Sequence, residues 1–233
     1  RQVIAGNVIE VYHYQEDIAH NFKKFDCTDK KIPPENFQEE DEESEEEIKK
    51  RSLQRSKIRL RRLVNANNKE LNKFITLTYR ENITDISKTN KDFEKFKKRL
   101  KYNLKKENKT LKYIVVLQFQ KRGAIHYHCL MNCGYIPNKK LNRIWRHGFV
   151  KINNIDNIDN VGAYVVSYMS NDFKNIEHKN RYLHSHNLKK PVVIKNDSKV
   201  AELLNDLKDE HLAYETEYDT EYFGKVNYKQ YKT

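Results

Sequence analysis

In the stretch GAIHYHCLMN, residues 123–132, His126 and His128 stand two residues apart. Side chains alternate faces along a strand, so both imidazoles point one way while Ile125, Tyr127, Cys129 and Met131 point the other. Neutral imidazole is the commonest metal ligand, and two on one face backed by an apolar face suit a divalent cation. The preceding stretch, LKYIVVLQFQ, places Ile114, Val116, Gln118 and Gln120 on one face and Tyr113, Val115, Leu117 and Phe119 on the other. The turn KRGA joins the two strands, and its length sets their register. A loop over Arg122–Ala124 pairs Gln120 with His126 and Gln118 with His128. A two-residue loop sets Phe119 against His126 instead. The first register gathers two histidines and two glutamines into a patch for a hard or borderline cation with open positions, Mg2+ or Mn2+. The competing reading is a hydrogen-bonded polar sheet surface with no ligand. Zinc is disfavoured: the spacing of His126, His128, Cys129 and Cys133 departs from structural zinc sites, and residues 128 and 129 face opposite ways.

A second pair, Tyr164 and Tyr168 in AYVVSY, lies four residues apart, one turn of a helix. Aromatic residues at that spacing are usually core. Ala163, Val165, Val166 and Met169 form the better core set, which leaves the tyrosines on another face. Tyrosine can form covalent intermediates, and a phosphodiester is a fitting target. With a pKa of about 10 the phenol is a weak nucleophile at neutral pH and needs a metal or base.

The elements that must hold these residues are short. Val3–Gln15 predicts a strand or hairpin turning at Gly6-Asn7. An acidic run, Glu39–Glu47, predicts a solvated loop or a helix start, with an intramolecular DNA mimic as the functional alternative. Ile48–Val64 predicts a helix with the apolar stripe Leu53, Leu60, Leu63 and Val64. Lys49, Arg55, Arg59 and Arg62 lie off that stripe, as candidates for phosphate contacts. Lys73–Tyr79 reads as a strand, and Lys91–Lys106 as a helix burying Phe93, Phe96, Leu100 and Leu104. Leu141–Gly148 reads as a short helix ending at glycine, with a strand, FVKI, after it. Asn160–Phe173 predicts a helix capped by Asp159 or Asn160. After a C-terminal helix, the tyrosine-rich tail predicts a hairpin about Gly224.

These elements make an α+β chain with a central antiparallel sheet and flanking helices. Residues 1–72 supply the N-terminal strand, acidic run and basic helix; 73–195 the core; 196–233 the C-terminal helix and hairpin, the whole read as one domain. With 233 residues and a formal charge of +12, the chain fits a polyanionic partner, although a lysine-rich solvated surface accounts for charge alone equally well. Cys27, Cys129 and Cys133 make no disulfide framework, so a reducing cytoplasm is expected. No apolar run reaches the roughly 18 residues of a membrane span, and no signal-peptide pattern follows Arg1.

Three motifs occur in order: FITLTY at Phe74–Tyr79, GAIHYHCLM at Gly123–Met131, and YVVSYMS from Tyr164 to Ser170. Together they resemble the HUH endonucleases, named for His-hydrophobic-His, and more narrowly the rolling-circle replication initiators (Rep) of plasmids and phages. QKRGAIHYH is the most specific signal. The resemblance implies an RNA-recognition-motif-like sheet and a Mg2+- or Mn2+-dependent nick of single-stranded or hairpin origin DNA. It implies a 5′-phosphotyrosine linkage and a free 3′-OH. It also implies His126, His128 and Gln118 as metal ligands, Tyr164 as main nucleophile and Tyr168 as its partner. Lys121, Arg122 and Lys174 join Arg55, Arg59 and Arg62 as candidate DNA contacts. Two positions depart from the family: it often has Glu where Gln118 stands, and Lys where Ser167 stands, a charge that Lys174 would have to supply. Those departures motivate an alternative, a catalytically weakened origin binder. A transposase-like relative shares the chemistry, and a metal-dependent hydrolase using water lies outside it. No GxxxxGK[ST] is present, so a separate host helicase and polymerase are expected.

Overall fold

The computed structural model describes residues 1–15, 44–120, 122–153, 155, 158, 160–169, 181–205, 207, 209–220 and 224–233. Cys27, Asp159 and the acidic residues 39–43 lie outside them. In chain order the elements are β1 (Gln2–Ala5), β2 (Val8–Tyr14), α1 (Glu45–Asn65), β3 (Lys73–Tyr79), α2 (Ile86–Lys105), β4 (Tyr113–Phe119), β5 (Ile125–Met131), α3 (Asn138–Trp145), β6 (Gly148–Asn153), α4 (Val161–Ser167), β7 (Tyr182–His184), β8 (Val192–Ile194), α5 (Asp197–Asn205), β9 (Leu212–Thr220) and β10 (Gly224–Lys232). The chain is α+β, with two antiparallel five-stranded sheets among the described residues. It divides into two compact units, Arg1–Ser52 with Val192–Thr233, and Leu53–Pro191. The boundary falls within α1.

The first unit holds the sheet β8-β1-β2-β10-β9. Ala5 pairs with Val8, so Gly6-Asn7 is the expected two-residue turn. The expected C-terminal hairpin forms as well, with Gly224 opposite Thr220. β10 also pairs along the whole of β2, from Val226↔Tyr14 to Lys232↔Val8. Tyr12 and Tyr228 meet there across the strands, ring centroids 5.0 Å apart. The first turn of α1 begins with a capping box. Glu47 N–H donates to Ser44 Oγ at 3.4 Å, and Ser44 N–H donates to Glu47 Oε2 at 3.2 Å. The described end of the acidic run is therefore a helix start, with Glu45, Glu46 and Glu47 at the positive end of the dipole.

The second unit is built on the sheet β6-β3-β5-β4-β7. On one face Ile75, Leu77, Tyr79, Val115, Tyr127, Cys129 and Val150 pack under α2 and α3. α2 contributes the expected Phe93, Phe96, Leu100 and Leu104. It starts earlier than the sequence suggested, at Ile86, because the Asp85 carboxylate accepts from Ser87 N–H at 2.7 Å and Lys88 N–H at 3.2 Å. α3 ends on Arg146 in the left-handed conformation, φ 75°, rather than at a glycine. Gly148 instead opens β6.

On the opposite face Phe74, Ile114, Val116 and Leu130 pack against Leu53, Leu60 and Val64 of α1 and Val165 of α4, with Met169 beyond its end. The Leu53, Leu60 and Val64 stripe is buried as expected. Ala163 is exposed, a correction to the expected core set, because the short α4 buries only Gly162 and Val165. Asn67 ties the chain after β7 to this unit. Its amide donates to Lys189 O at 2.9 Å and accepts from Lys189 N–H at 2.9 Å.

The approach of α4 to α1 depends on Gly162. A methyl group there would overlap Asn65 Oδ1 and crowd Arg61, whose Cγ and carbonyl oxygen lie 3.0 Å away. Asn65 is itself buried, so it has little room to yield. Gly162→Ala is expected to destabilise the protein by about 1–3 kcal/mol, the usual range for overpacking, as measured by urea denaturation.

Candidate active site

In the turn between β4 and β5 three residues separate Gln120 from Ala124. Gln120 N–H donates to Ala124 O at 2.8 Å, and Gly123 N–H donates to Gln120 O at 2.8 Å. Gly123 takes φ 83°, the left-handed conformation that closes three-residue hairpins. The loop is odd in length, but it begins one residue earlier than the sequence register assumed. Gln118 therefore lies opposite His126, and Val116 opposite His128. The expected pairs Gln120–His126 and Gln118–His128 are corrected accordingly. Partners shift by two positions, so every side chain keeps its predicted face. Gln118 remains beside both imidazoles, while the Gln120 Oε1 atom accepts from Arg122 Nε at 3.0 Å.

His126 and His128 share the face opposite Tyr127, ring centroids 6.4 Å apart. His128 is 5% exposed. Its Nε2 lies 2.7 Å from Gln118 Oε1, and its Nδ1 lies 3.3 Å from Thr76 Oγ1. His126 Nε2 is buried without a hydrogen-bond partner. Leaving such an atom unpaired costs about 1–3 kcal/mol, which a ligand at that atom would relieve. Burial, reinforced by the Arg122 charge, lowers the His126 pKa. Burial, and then the His126 charge, lowers that of His128 to about 4. Both rings are thus held neutral at pH 7, the form that ligates metals.

Among the described residues no cluster of three or more His, Cys, Asp or Glu could hold a metal ion. The donor set here is instead two imidazoles and one amide carbonyl, and it fits a divalent cation with open positions. Gln118 Oε1 and His128 Nε2 are already adjacent, His126 Nε2 is orphaned, and Thr76 can orient the His128 ring through Nδ1.

The tyrosines arrive from α4. Asn160 caps it, its Oδ1 accepting from Ala163 N–H at 2.9 Å. The helix spans Val161–Ser167 and Tyr168 is its C-cap, so it is shorter than the expected Asn160–Phe173, whose last residues lie outside the described ones. The four-residue spacing brings the phenols together: Tyr168 O–H donates to Tyr164 Oη at 2.7 Å. Burial, and then this bond to Tyr164, pushes the Tyr168 phenol up to about 12. The Tyr168 ring lies 4.0 Å from the His128 ring, centroid to centroid. Phe74 supports both tyrosines, 5.1 Å from Tyr164 and 5.3 Å from Tyr168. Ser167 Oγ donates to Tyr164 O at 2.7 Å and so ties into the helix backbone.

His126, His128, Gln118, Tyr164 and Tyr168 therefore form one continuous contact network. Arg122 is exposed beside it. Arg55 and Arg59 are exposed on α1, Arg62 is half-buried, and the Arg59 charge acts on Tyr182 of β7. Lys121 and Lys174 lie outside the described residues. Phe74 and Thr76 were missed as site residues by the sequence reading. Their signal was the alternation of FITLTY, which puts Phe74, Thr76 and Thr78 on the histidine face.

The lowered His128 pKa has a measurable consequence. Between about pH 6.5 and 4 the unfolded histidine binds a proton that the folded one does not, so stability falls as pH drops through that window. The loss attributable to His128 is expected to reach about 3 kcal/mol. Urea denaturation across this range in chelator should show the decline, and His128→Asn should flatten it.

Residues 72–173 match a family model described as a replication-associated protein of the ORF2 kind, a stretch that contains all three motifs. No curated protein and no solved structure matches the chain. Over 72–173, then, the chain is similar to replication-associated proteins, which connects it to DNA replication.

Proposed function

We propose that the chain is a rolling-circle replication initiator, a nicking and joining endonuclease of the HUH kind that acts on single-stranded or hairpin origin DNA. The observation that carries this reading is the packing of a hydrogen-bonded tyrosine pair directly on the histidine face. Tyr164 is the nucleophile. Its Oη attacks the scissile phosphorus and the P–O3′ bond breaks. The phenol proton is lost, the 3′ oxygen gains one, and the 5′-phosphate stays on the tyrosine. In the reverse step a 3′-OH attacks the phosphotyrosine, so strands are rejoined without hydrolysis.

The hydrogen-bond direction supports Tyr164 over Tyr168. Tyr168 keeps its proton at neutral pH and donates it towards Tyr164 Oη, where it stabilises negative charge developing on that oxygen. His126, His128 and Gln118 would hold a Mg2+ or Mn2+ ion, which when bound would polarise the phosphate and offset its charge. Arg122 and the basic face of α1 supply phosphate contacts. Among the described residues no helix is long and apolar enough to cross a membrane. Strand separation and synthesis fall to a separate helicase and polymerase.

The test is adduct formation with single-stranded DNA of the chain's own replicon, in Mn2+ or EDTA, on denaturing gels. The expected result is a Mn2+-dependent shifted band lost in Tyr164→Phe and in His126→Ala. A band that survives in Tyr164→Phe and disappears in Tyr168→Phe would exchange the roles of the two tyrosines. Tight DNA binding with no band in any metal would make the chain an origin binder, with neutral Gln118 and Ser167 as the reason.

A further inference from the structure

The histidine face continues past His126 onto the edge strand. Gln118 pairs with His126, His126 with Thr78, and Thr78 with Phe149, so the four form one row across β4, β5, β3 and β6. Strands lie 4.7–4.9 Å apart, which puts Phe149 about 10 Å from His126 along that row. The next row carries Val116, His128, Thr76 and Lys151. Phe149 is 66% exposed, whereas Val150, facing the other way, is buried at 6%. Among the described residues no aromatic ring packs on Phe149. Folding does not explain such a residue, since burial of a phenylalanine is worth about 1.5–3 kcal/mol and this one stays largely in water.

Its surroundings favour an anion. Strands β3 to β7 contain no Asp or Glu. Lys151 is exposed two residues along β6 on the same face, and Arg80 is exposed two residues beyond Thr78. An exposed ring on a carboxylate-free sheet, flanked by cations, has the character of a single-strand binding surface. Bases stack on the ring, and the cations hold the backbone.

We propose that Phe149 is a stacking platform for a base of the single-stranded DNA that crosses the histidine face, with Lys151 holding an adjacent phosphate. The inference rests on the nuclease reading above and extends it to how the strand is held. Phe149 is a positioning residue and takes no part in the chemistry.

The test is fluorescence anisotropy in EDTA, with labelled oligo(dT) and with the same strand built of abasic residues. Phe149→Ala is expected to lower affinity for oligo(dT) about tenfold, within the range for loss of one stacked base, and to leave the abasic strand unaffected. Phe149→Trp should restore binding. Phe149→Leu, which keeps apolar bulk without the ring, should behave like Phe149→Ala. Lys151→Ala should weaken both strands and reduce the salt slope by roughly 0.7. Equal affinities of wild type and Phe149→Ala for oligo(dT) would overturn the inference alone. So would loss of self-association in Phe149→Ala with DNA binding unchanged, which would assign this edge to a second copy of the chain. Absence of binding by the wild type to either strand would overturn the nuclease reading and the inference together.

Discussion

The burial of Tyr127 governs the geometry of everything on the other side of β5. Its ring is fully buried, stacked on Phe93 at 4.8 Å and edge-on to Trp145 at 6.5 Å, and its hydroxyl donates to Asn90 Oδ1 at 3.1 Å. A strand has period two, so fixing Tyr127 in the α2–α3 core fixes His126 and His128 on the opposite face. A slip of one residue would bury both imidazoles among phenylalanines and expose Tyr127 and Cys129. The histidine pair thus owes its placement to hydrophobic packing behind it, with the hydrogen bonds in front refining ring orientation.

The front face is divided. Towards one end α1 and α4 cover Phe74, Ile114, Val116 and Leu130 with a second dry cluster. Towards the other, Gln118, Thr78 and Phe149 lie in the open or half-open. His128 sits at the seam, nearly dry, and His126 is one step further out. Phe74 belongs to the dry cluster and touches His128 and both tyrosines. The aromatic wall that stabilises α4 against the sheet is therefore the same wall that aims its phenols.

Much of this was readable from spacing. Strand alternation gave the limits of β3 and β5 and the faces of all three central strands, because local periodicity reports faces directly. Register was harder. It turned on which residue of KRGA opened the loop, and a left-handed Gly123 decided it. The early start of α2 was missed because Asp85 sits ahead of the apolar stripe, and a polar cap carries no periodicity. The end of α3 was misplaced because a left-handed Arg146 leaves no compositional mark. The pairing of β2 with β10 joins residues more than two hundred apart, and alternation in either strand names no partner. For the site, residue types drew attention to the histidines and tyrosines, whereas Thr76 and Phe74 become visible only once β3 is set beside β5.

β6 has one further property, which concerns the behaviour of many copies together. It is the outer strand of its sheet, and it shows water two apolar side chains, Phe149 and Ile152, on opposite faces. An open edge of that kind invites pairing with another copy. What opposes this is charge: Lys151 between the two, and a net +12 over the chain. Charge repulsion is screened within about 8 Å at physiological ionic strength and about 3 Å at 1 M salt, whereas apolar attraction is not. Concentrated salt, the usual means of stripping nucleic acid from a basic protein, therefore also removes what keeps these edges apart. Colloidal stability and retention of a polyanion are in this chain two readings of the same surface potential.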